Sequence, residues 1–372
     1  MADNRIRVGV IGVGQIGKHH LDTYLSTPNI DVIGVAGRDL DRTQQVALDY
    51  HLAYWTTNYR ELLARDDLDA VSVCLHNNLH REVTIAALEA GKHVYCEKPI
   101  AGSYCDAQAM LAAAHRTGKM LSIQLATLFG SETKAAKAVI AEGWLGKPYF
   151  AQAVIARRRG RPYVDGYGTP AFVQKEQAGG GALLDLGVYE IAKLLYLLDN
   201  PPALRVSGRT YQETPIDPER LTASGYDVEE LGVGLAHLQG NITLSIVAAW
   251  AIHLGKVGGS YLVGTQGGVR LEPFEIYRSL GDLDLDASVD LEAFEYRSHN
   301  VRGQGNGYDG PQQHWIAALQ GRVPLLPTAE IALNTMLISE GIYLSDRLGR
   351  EVTASDVSDQ SVSTAVAVSA QS

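Results

Sequence analysis

Gly12-Val13-Gly14-Gln15-Ile16-Gly17 follows without a break on the β-branched run Arg5 to Ile11 and leads into an apolar-striped segment that continues through Leu25. A strand, a glycine turn and a helix in that order leave few folds open. Glycines at this spacing permit a tight turn, close approach of the backbone to a pyrophosphate and close packing of helix on strand, while the helix N-terminus meets the phosphate charge. The glycine pattern alone says little. Set between a strand and a helix, with a second apolar strand at Asp31 to Ala36, it predicts a dinucleotide site lined by Gly12, Gly14, Gln15, Ile16 and Gly17.

The end of the second strand bears on which dinucleotide. A carboxylate about 20 residues beyond the glycines would hydrogen-bond the adenosine ribose of NAD. This chain reads Ala36-Gly37-Arg38-Asp39, with Gly37 where that carboxylate would point and Arg38 next to it. A guanidinium fork matches a 2′-phosphate, which an acid would repel. NADP(H) is therefore favoured; NAD(H) is the alternative, with Asp39 turned back to the ribose.

Strand and helix go on alternating: Leu68 to Leu75, Lys92 to Cys96 and Met120 to Leu125 read as strands, Leu79 to Ala90 and Ser103 to Thr117 as helices. Repeated units of this kind predict a parallel doubly wound sheet. After about Gln124 the strands run longer and closer together, at Tyr149 to Ala156, Leu204 to Tyr211, Gly232 to Leu238, Ile242 to Trp250, Gly259 to Gly264 and Gly268 to Leu271. The expected fold class is α/β, with an N-terminal doubly wound Rossmann domain over 1–125 and a C-terminal α+β domain built on a mainly antiparallel sheet over 126–352. Two domains also suit 372 residues, more than one core usually serves. Residues 353–372, rich in Ser, Ala and Val and without evident caps, are expected to form a loose tail.

Composition excludes several functions. A net charge of -10 gives no basic face for a nucleic acid. No apolar run approaches the roughly 20 residues needed to span a bilayer, and the polar start lacks the hydrophobic stretch of a signal peptide. Cys74, Cys96 and Cys105 are odd in number and lack metal-ligand spacing. A cytoplasmic protein without a metal site is expected.

Two further stretches carry chemistry. In Val94-Tyr95-Cys96-Glu97-Lys98-Pro99-Ile100 a short apolar strand ends at a proline, which cannot donate to a ladder. Strand ends of an open α/β sheet line the ligand crevice, so Lys98 is expected to face cofactor and substrate. In Gly179-Gly180-Gly181-Ala182-Leu183-Leu184-Asp185-Leu186-Gly187-Val188-Tyr189, the glycines read as a flexible lead-in to a helix running through Leu198, and Asp185 and Tyr189 share a face at four-residue spacing. Spacing alone favours Tyr189 as a packed aromatic with its hydroxyl tied to Asp185.

With the glycine turn, Glu97-Lys98-Pro99, the Gly179 to Tyr189 helix, and Gly264-Thr265-Gln266-Gly267-Gly268 with Trp250 upstream, the chain resembles the family of glucose-fructose oxidoreductase, inositol dehydrogenase and MocA over nearly its whole length. The resemblance implies hydride transfer between nicotinamide and a sugar, sugar derivative or cyclitol, and a homodimer or homotetramer whose interface is the C-terminal sheet. It assigns Lys98, Asp185 and Tyr189 as catalytic, and Leu75, Asn77, His80, Glu97 and Lys98 as neighbours of the cofactor. Tyrosine at 189, where many members carry histidine, is similar to glucose-fructose oxidoreductase, dimeric dihydrodiol dehydrogenase and some sugar 3-ketoreductases. Leu75-His76-Asn77 and Ala126-Thr127-Leu128-Phe129 depart from the family's Thr-Pro-Asn and Asn-Arg-Arg-Phe, which leaves the substrate open.

Phenol has an ordinary pKa near 10, and a neighbouring Lys98 ammonium is expected to lower it for Tyr189. Lys98 would also polarise the substrate oxygen, with Asp185 keeping it protonated. Arg158, from the run Arg157-Arg158-Arg159-Gly160-Arg161, and Lys175 are candidate substrate contacts beside Lys98, Asp185 and Tyr189, although a charge run ordinarily marks a solvated face. His80 is expected to bond at its helix start, and His253 and His314 to be structural. Two competing functions fit the same residues: a glycosidase that uses tightly held NAD for transient sugar oxidation, and a sugar-sensing regulator without turnover.

Overall fold

The computed structural model describes residues 5–255, 257–301 and 305–368. The polar start at 1–4 and the end of the expected tail at 369–372 lie outside the described residues. Among the described residues, β1 (Ile6–Ile11), β2 (Ile30–Ala36), β3 (Tyr54–Thr56), β4 (Ala70–Val73), β5 (His93–Cys96) and β6 (Leu121–Ile123) form a parallel sheet in the order β3-β2-β1-β4-β5-β6. All four residues of β4 are buried, as a strand covered on both faces requires. Strand order reverses beside β1, which opens a crevice at the carboxyl edge. Ile11 pairs with Ala36 on one side and Val73 on the other, and Val73 pairs with Cys96. Their successors Gly12, Gly37, Cys74 and Glu97 therefore emerge abreast along that edge.

The second sheet contains β7 (Pro148–Ala156), β8 (Ala203–Tyr211), β9 (Leu231–Leu238), β10 (Ile242–Ala249), β11 (Tyr261–Gly264), β12 (Gly267–Arg270), β13 (Glu275–Leu280), β14 (Leu283–Ser288) and β15 (Val352–Thr353). Its order is β14-β13-β12-β11-β7-β10-β9-β8-β15, antiparallel except between β7 and β10. The expected fold class holds. Sequence reading passed over β3, only three residues long, and the hairpin of β13 with β14, whose alternation of Leu283, Leu285 and Ala287 with polar residues lies on a fully exposed strand.

The long helix Thr328–Leu348 covers one face of this sheet, where Ile342 sits against Gly208 and Gly234. It also closes the edge of the first sheet, since Thr328 Oγ1 accepts from the Ile123 amide at 2.9 Å. The helix Pro311–Leu319 returns to the first sheet. There Trp315 and Ile316 are buried among Val8, Val10, Tyr24 and Tyr95, with the Tyr95 and Trp315 rings 5.3 Å apart.

Residues 353–368 overturn the expectation of a loose tail. Thr353 and Asp356 form a reciprocal capping box on the helix Ala354–Gln360. The chain then runs back across the first domain. Ser363 Oγ donates to Asp106 Oδ1 at 2.6 Å, Thr364 N to Asp106 Oδ2 at 2.9 Å, Val366 N to Asn78 O at 3.0 Å and Val368 N to Glu82 Oε2 at 2.7 Å. Small hydroxyl residues that look like low-complexity linker thus serve as caps and donors. No helix among the described residues is long and apolar enough to cross a membrane, and no group of three or more His, Cys, Asp or Glu among them could hold a metal ion.

Candidate active site

The glycine turn is built for a phosphate. Gly12 has φ +107°, and a Cβ there would strike the Cys74 carbonyl; one at Gly17 would strike the Gly12 carbonyl. At Gly14 a Cβ would meet nothing within 4 Å, so that side of the turn is open. The helix Gln15–Ser26 begins here without a side-chain cap or an acid in its first turn, and Gln15 and Ile16 are exposed. Its first amides are thus available to an anion, and these residues fit a dinucleotide pyrophosphate.

At the end of β2, Gly37 is explained by space. A Cβ there would lie 2.5 Å from Thr43 Oγ1 and 2.7 Å from Val13 Cγ2. Asp39 Oδ1 caps the helix Leu40–Asp49 by accepting from the Arg42 amide at 2.8 Å, and the residue is exposed. Arg38 is exposed and meets no acid among the described residues. Its charge reaches His76, whose imidazole is pushed down by burial and then by Arg38.

Across the crevice the structure brings Lys98, Asp185 and Tyr189 together. Lys98 follows β5, precedes a cis peptide bond to Pro99, and donates to Asp185 Oδ1 at 2.8 Å and to the Asp185 carbonyl at 2.9 Å. Two of its three donors are so committed, and its Nζ lies 4.8 Å from the centroid of the Tyr189 ring. The other Asp185 oxygen accepts from Trp250 Nε1 at 2.8 Å. Burial works against the Lys98 ammonium, but the charge and hydrogen bond of Asp185, with Tyr189 and Glu97, together outweigh it and hold its pKa up. Burial likewise opposes the Asp185 carboxylate, and Lys98 with Trp250 holds its pKa down. The pair is an ammonium and a carboxylate at neutral pH.

Tyr189 departs from expectation in two respects. Its hydroxyl is not tied to Asp185, whose oxygens are taken by Lys98 and Trp250. Its phenol is raised rather than lowered, because burial, helped by Glu97 and Asp185, exceeds the opposing pull of Lys98. It stays protonated at neutral pH in the free protein.

Asp185 sits in a π-helical turn, Leu183–Gly187, which passes into the α-helix Val188–Leu197. The glycines before it are not a flexible lead-in. Gly179 has φ +79° and lies on Gly102, a Cβ at Gly180 would strike the Tyr343 hydroxyl, and one at Gly181 would strike the Glu229 carbonyl. Buried Glu229 accepts from Gly181 N at 2.8 Å and Leu183 N at 2.9 Å, and Tyr343 Oη donates to it at 2.8 Å. These contacts fix the start of the helix that carries Asp185 and Tyr189.

Other expected site residues are placed differently. His80 is fully buried, with Nδ1 2.9 Å from the Pro99 carbonyl and Nε2 3.1 Å from the Leu75 carbonyl, so it is withdrawn behind the crevice rather than facing a cofactor. Glu97 points inward to His20 Nε2 at 2.9 Å and accepts the Lys98 amide at 3.2 Å. Leu75 lies against Gly12, and Asn77 Nδ2 donates to the Ala178 carbonyl at 2.8 Å across to the second domain. Arg158 and Lys175 are exposed, and neither side chain meets a partner among the described residues. Arg157 is the member of its run that bears on the trio. Its guanidinium donates to Tyr167 Oη at 2.6 Å, and its charge helps hold Asp185 down. His314 accepts from Leu326 N at 2.9 Å and faces the Gly307 carbonyl at 2.8 Å, a structural role. Sequence reading missed His20, Arg157, Tyr167 and Glu229. Among these only Arg157 had a signal, its place directly after a strand.

Two family models match the chain. Residues 6–125 fit an oxidoreductase family with an NAD-binding Rossmann fold, and residues 133–270 fit the GFO/IDH/MocA C-terminal domain. The D-glucoside 3-dehydrogenase of Escherichia coli (strain K12) is 30% identical over 361 residues, 95% of this chain and 98% of that protein. The oxidoreductase domain protein from Kribbella flavida shares the fold, with a TM-score of 0.78 at 23% identity over 94% of this chain and 99% of that one. GenD2 from gentamicin A biosynthesis, solved in complex with NAD, has a TM-score of 0.72 at 25% identity over 94% of this chain and 96% of its own.

Proposed function

The chain belongs to the GFO/IDH/MocA family of oxidoreductases, and within it we propose that the protein moves a hydride between a bound nicotinamide dinucleotide and a carbon of a sugar, sugar derivative or cyclitol. The observation that carries this reading is the convergence of Lys98, Asp185 and Tyr189 across the crevice from the glycine turn. Gly12, Gly14, Gln15, Ile16 and Gly17 hold the pyrophosphate, and Leu75 and Asn77 flank the nucleotide. Bound nicotinamide supplies the hydride donor or acceptor. The chain supplies the rest. The remaining N–H of Lys98 meets the substrate oxygen, where its charge counts most as negative charge develops. Asp185 keeps Lys98 protonated and aimed. The Tyr189 phenol gives its proton to the forming alcohol in reduction, and its phenolate takes that proton back in oxidation.

Absorbance of the nicotinamide, followed with both cofactors against a panel of glycosides, aldoses, keto-sugars and cyclitols, tests this reading. Glycosides come first because of the name of the E. coli relative. Turnover of none of them would sink it.

NADP(H) is the favoured cofactor, through Arg38. Arg38→Leu is expected to weaken NADP(H) relative to NAD(H) by roughly tenfold to a hundredfold, the range for one charge-assisted contact. Dissociation constants for both nucleotides decide it, and an unchanged ratio removes Arg38 from the cofactor site. Gly37→Asp is a poor companion test, since its Cβ has no room beside Val13 and Thr43.

The second sheet also forms the oligomer interface in this reading. Phe150, Val233, Leu235, Val247 and Val263 share its face opposite the helix Thr328–Leu348, and none of the five is fully buried. A solution mass of two or four chains is expected by light scattering, falling to one chain in Leu235→Arg with Val247→Glu. A native monomer would dismiss this interface.

A further inference from the structure

Lys98 reaches away from its own strand to Asp185, so its backbone must be held by something else. Its two chain neighbours do this, each through a buried histidine. On one side Glu97 Oε1 accepts from His20 Nε2 at 2.9 Å while Glu97 Oε2 accepts the Lys98 amide at 3.2 Å. On the other side the Pro99 carbonyl lies 2.9 Å from His80 Nδ1, and His80 Nε2 lies 3.1 Å from the carbonyl of Leu75, just beyond β4. His20 and His80 are 1% and 0% exposed, so neither meets substrate.

The protons are ordered around His20. Burial keeps the Tyr24 phenol protonated, and its hydroxyl lies 2.6 Å from Ser72 Oγ, which lies 3.1 Å from His20 Nδ1. Tyr24 donating to Ser72, Ser72 to His20 Nδ1 and His20 Nε2 to Glu97 is one consistent order of donors, and Cys74 Sγ lies 3.3 Å from the same Nδ1. His20 belongs to the helix Gln15–Ser26 that opens at the glycine turn, and His80 to the helix Asn77–Glu89 that opens beyond β4.

We propose that His20 and His80 are positioning residues for Lys98. They tie Glu97-Lys98-Pro99 to the second turn of one helix and the first turn of the other, the two helices that bracket the dinucleotide crevice, which sets the ammonium relative to cofactor and substrate. This rests on the reading that Lys98 supports hydride transfer.

A double-mutant cycle separates positioning from ordinary support of the fold. His20→Leu and His80→Leu are each made in the native chain and in Lys98→Met, and kcat, cofactor Kd and melting temperature are measured. In the native background each is expected to lower kcat by about tenfold to a hundredfold, the cost of a misplaced catalytic group. In Lys98→Met each is expected to lower it by less than about threefold, because the group being positioned is gone. His20→Gln and His80→Gln, which keep an N–H donor, should recover part of the loss, and they carry the same comparison if the leucine variants do not fold. An independent readout is reductive methylation of Lys98, followed by peptide mass, which should run several-fold faster in the histidine variants as the Asp185 pair loosens. Equal losses in both backgrounds, or none in the native one, overturn the proposal while Lys98→Met stays impaired. A Lys98→Met protein as active as the native one overturns the reading of Lys98 itself, and the proposal with it.

Discussion

Lys98→Met is expected to lose roughly two to four decades of turnover, the range for a positioned group that stabilises developing charge, with cofactor affinity nearly unchanged. Methionine keeps the apolar stem and deletes the ammonium, so packing beside Tyr189 survives. Two effects must be kept apart. One is chemical: no cation meets the substrate oxygen. The other is structural: Asp185 retains Trp250 but loses its ion-pair partner. Breaking a fully buried pair costs about 3–5 kcal/mol, and this pair should cost less, because its side chains keep 14% and 20% of their exposure. Melting temperature reads the second effect and saturating-substrate turnover the first. A folded Lys98→Met protein with near-native turnover would take Lys98 out of the chemistry.

Tyr189→Phe should cost at least about a hundredfold in turnover. The ring remains, and with it the contact to Lys98 at 4.8 Å, so the variant isolates the hydroxyl. A merely packed aromatic would keep its turnover. The pH profile adds a sign. Because burial raises the Tyr189 phenol, reduction, which uses the protonated form, should be flat through neutral pH and fall only at strongly alkaline pH. Oxidation needs the phenolate and should climb about tenfold per pH unit across the same range. In Tyr189→His the limb should move down toward the imidazole pKa of about 6.5, with oxidation levelling off near neutrality and part of the activity restored. Full turnover of Tyr189→Phe at every pH would route the proton through Lys98 or solvent.

What could be read before the coordinates follows from the range of each signal. The glycine turn, the parallel strands and the Lys98 stretch are local patterns a few residues long, and they led to the right architecture and to a trio that does meet. Arg157 and Arg158 show the limit of such patterns. Consecutive residues leaving a strand point to opposite sides, and nothing in the run says which side is the crevice. The glycines at 179–181 misled for a related reason. Glycine signals either freedom or crowding, and only Glu229, Tyr343 and Gly102, all far away in the chain, reveal crowding. Lys98 was expected to lower the Tyr189 phenol because a charge can be read from sequence; the burial that outweighs it is a property of the folded environment. The tail misled because hydroxyl-rich composition looks the same whether or not partners such as Asp106 wait for it.

The seating of Trp315 and Ile316 against Val8, Val10, Tyr24 and Tyr95 matters while the chain is being made. A ribosome delivers the six strands of the first sheet early, yet the side chains that roof one face of that sheet arrive only after strands β7 to β14 of the second sheet have been made. Until then a nascent nucleotide-binding half carries an uncovered aromatic face, the kind of surface that draws partly folded chains into aggregates. Its core is therefore completed after much of the second domain has emerged, although its own strands precede that domain in the chain. A chain stopped short of Pro311 would keep that face open for good, so a premature stop in the second domain damages the first one.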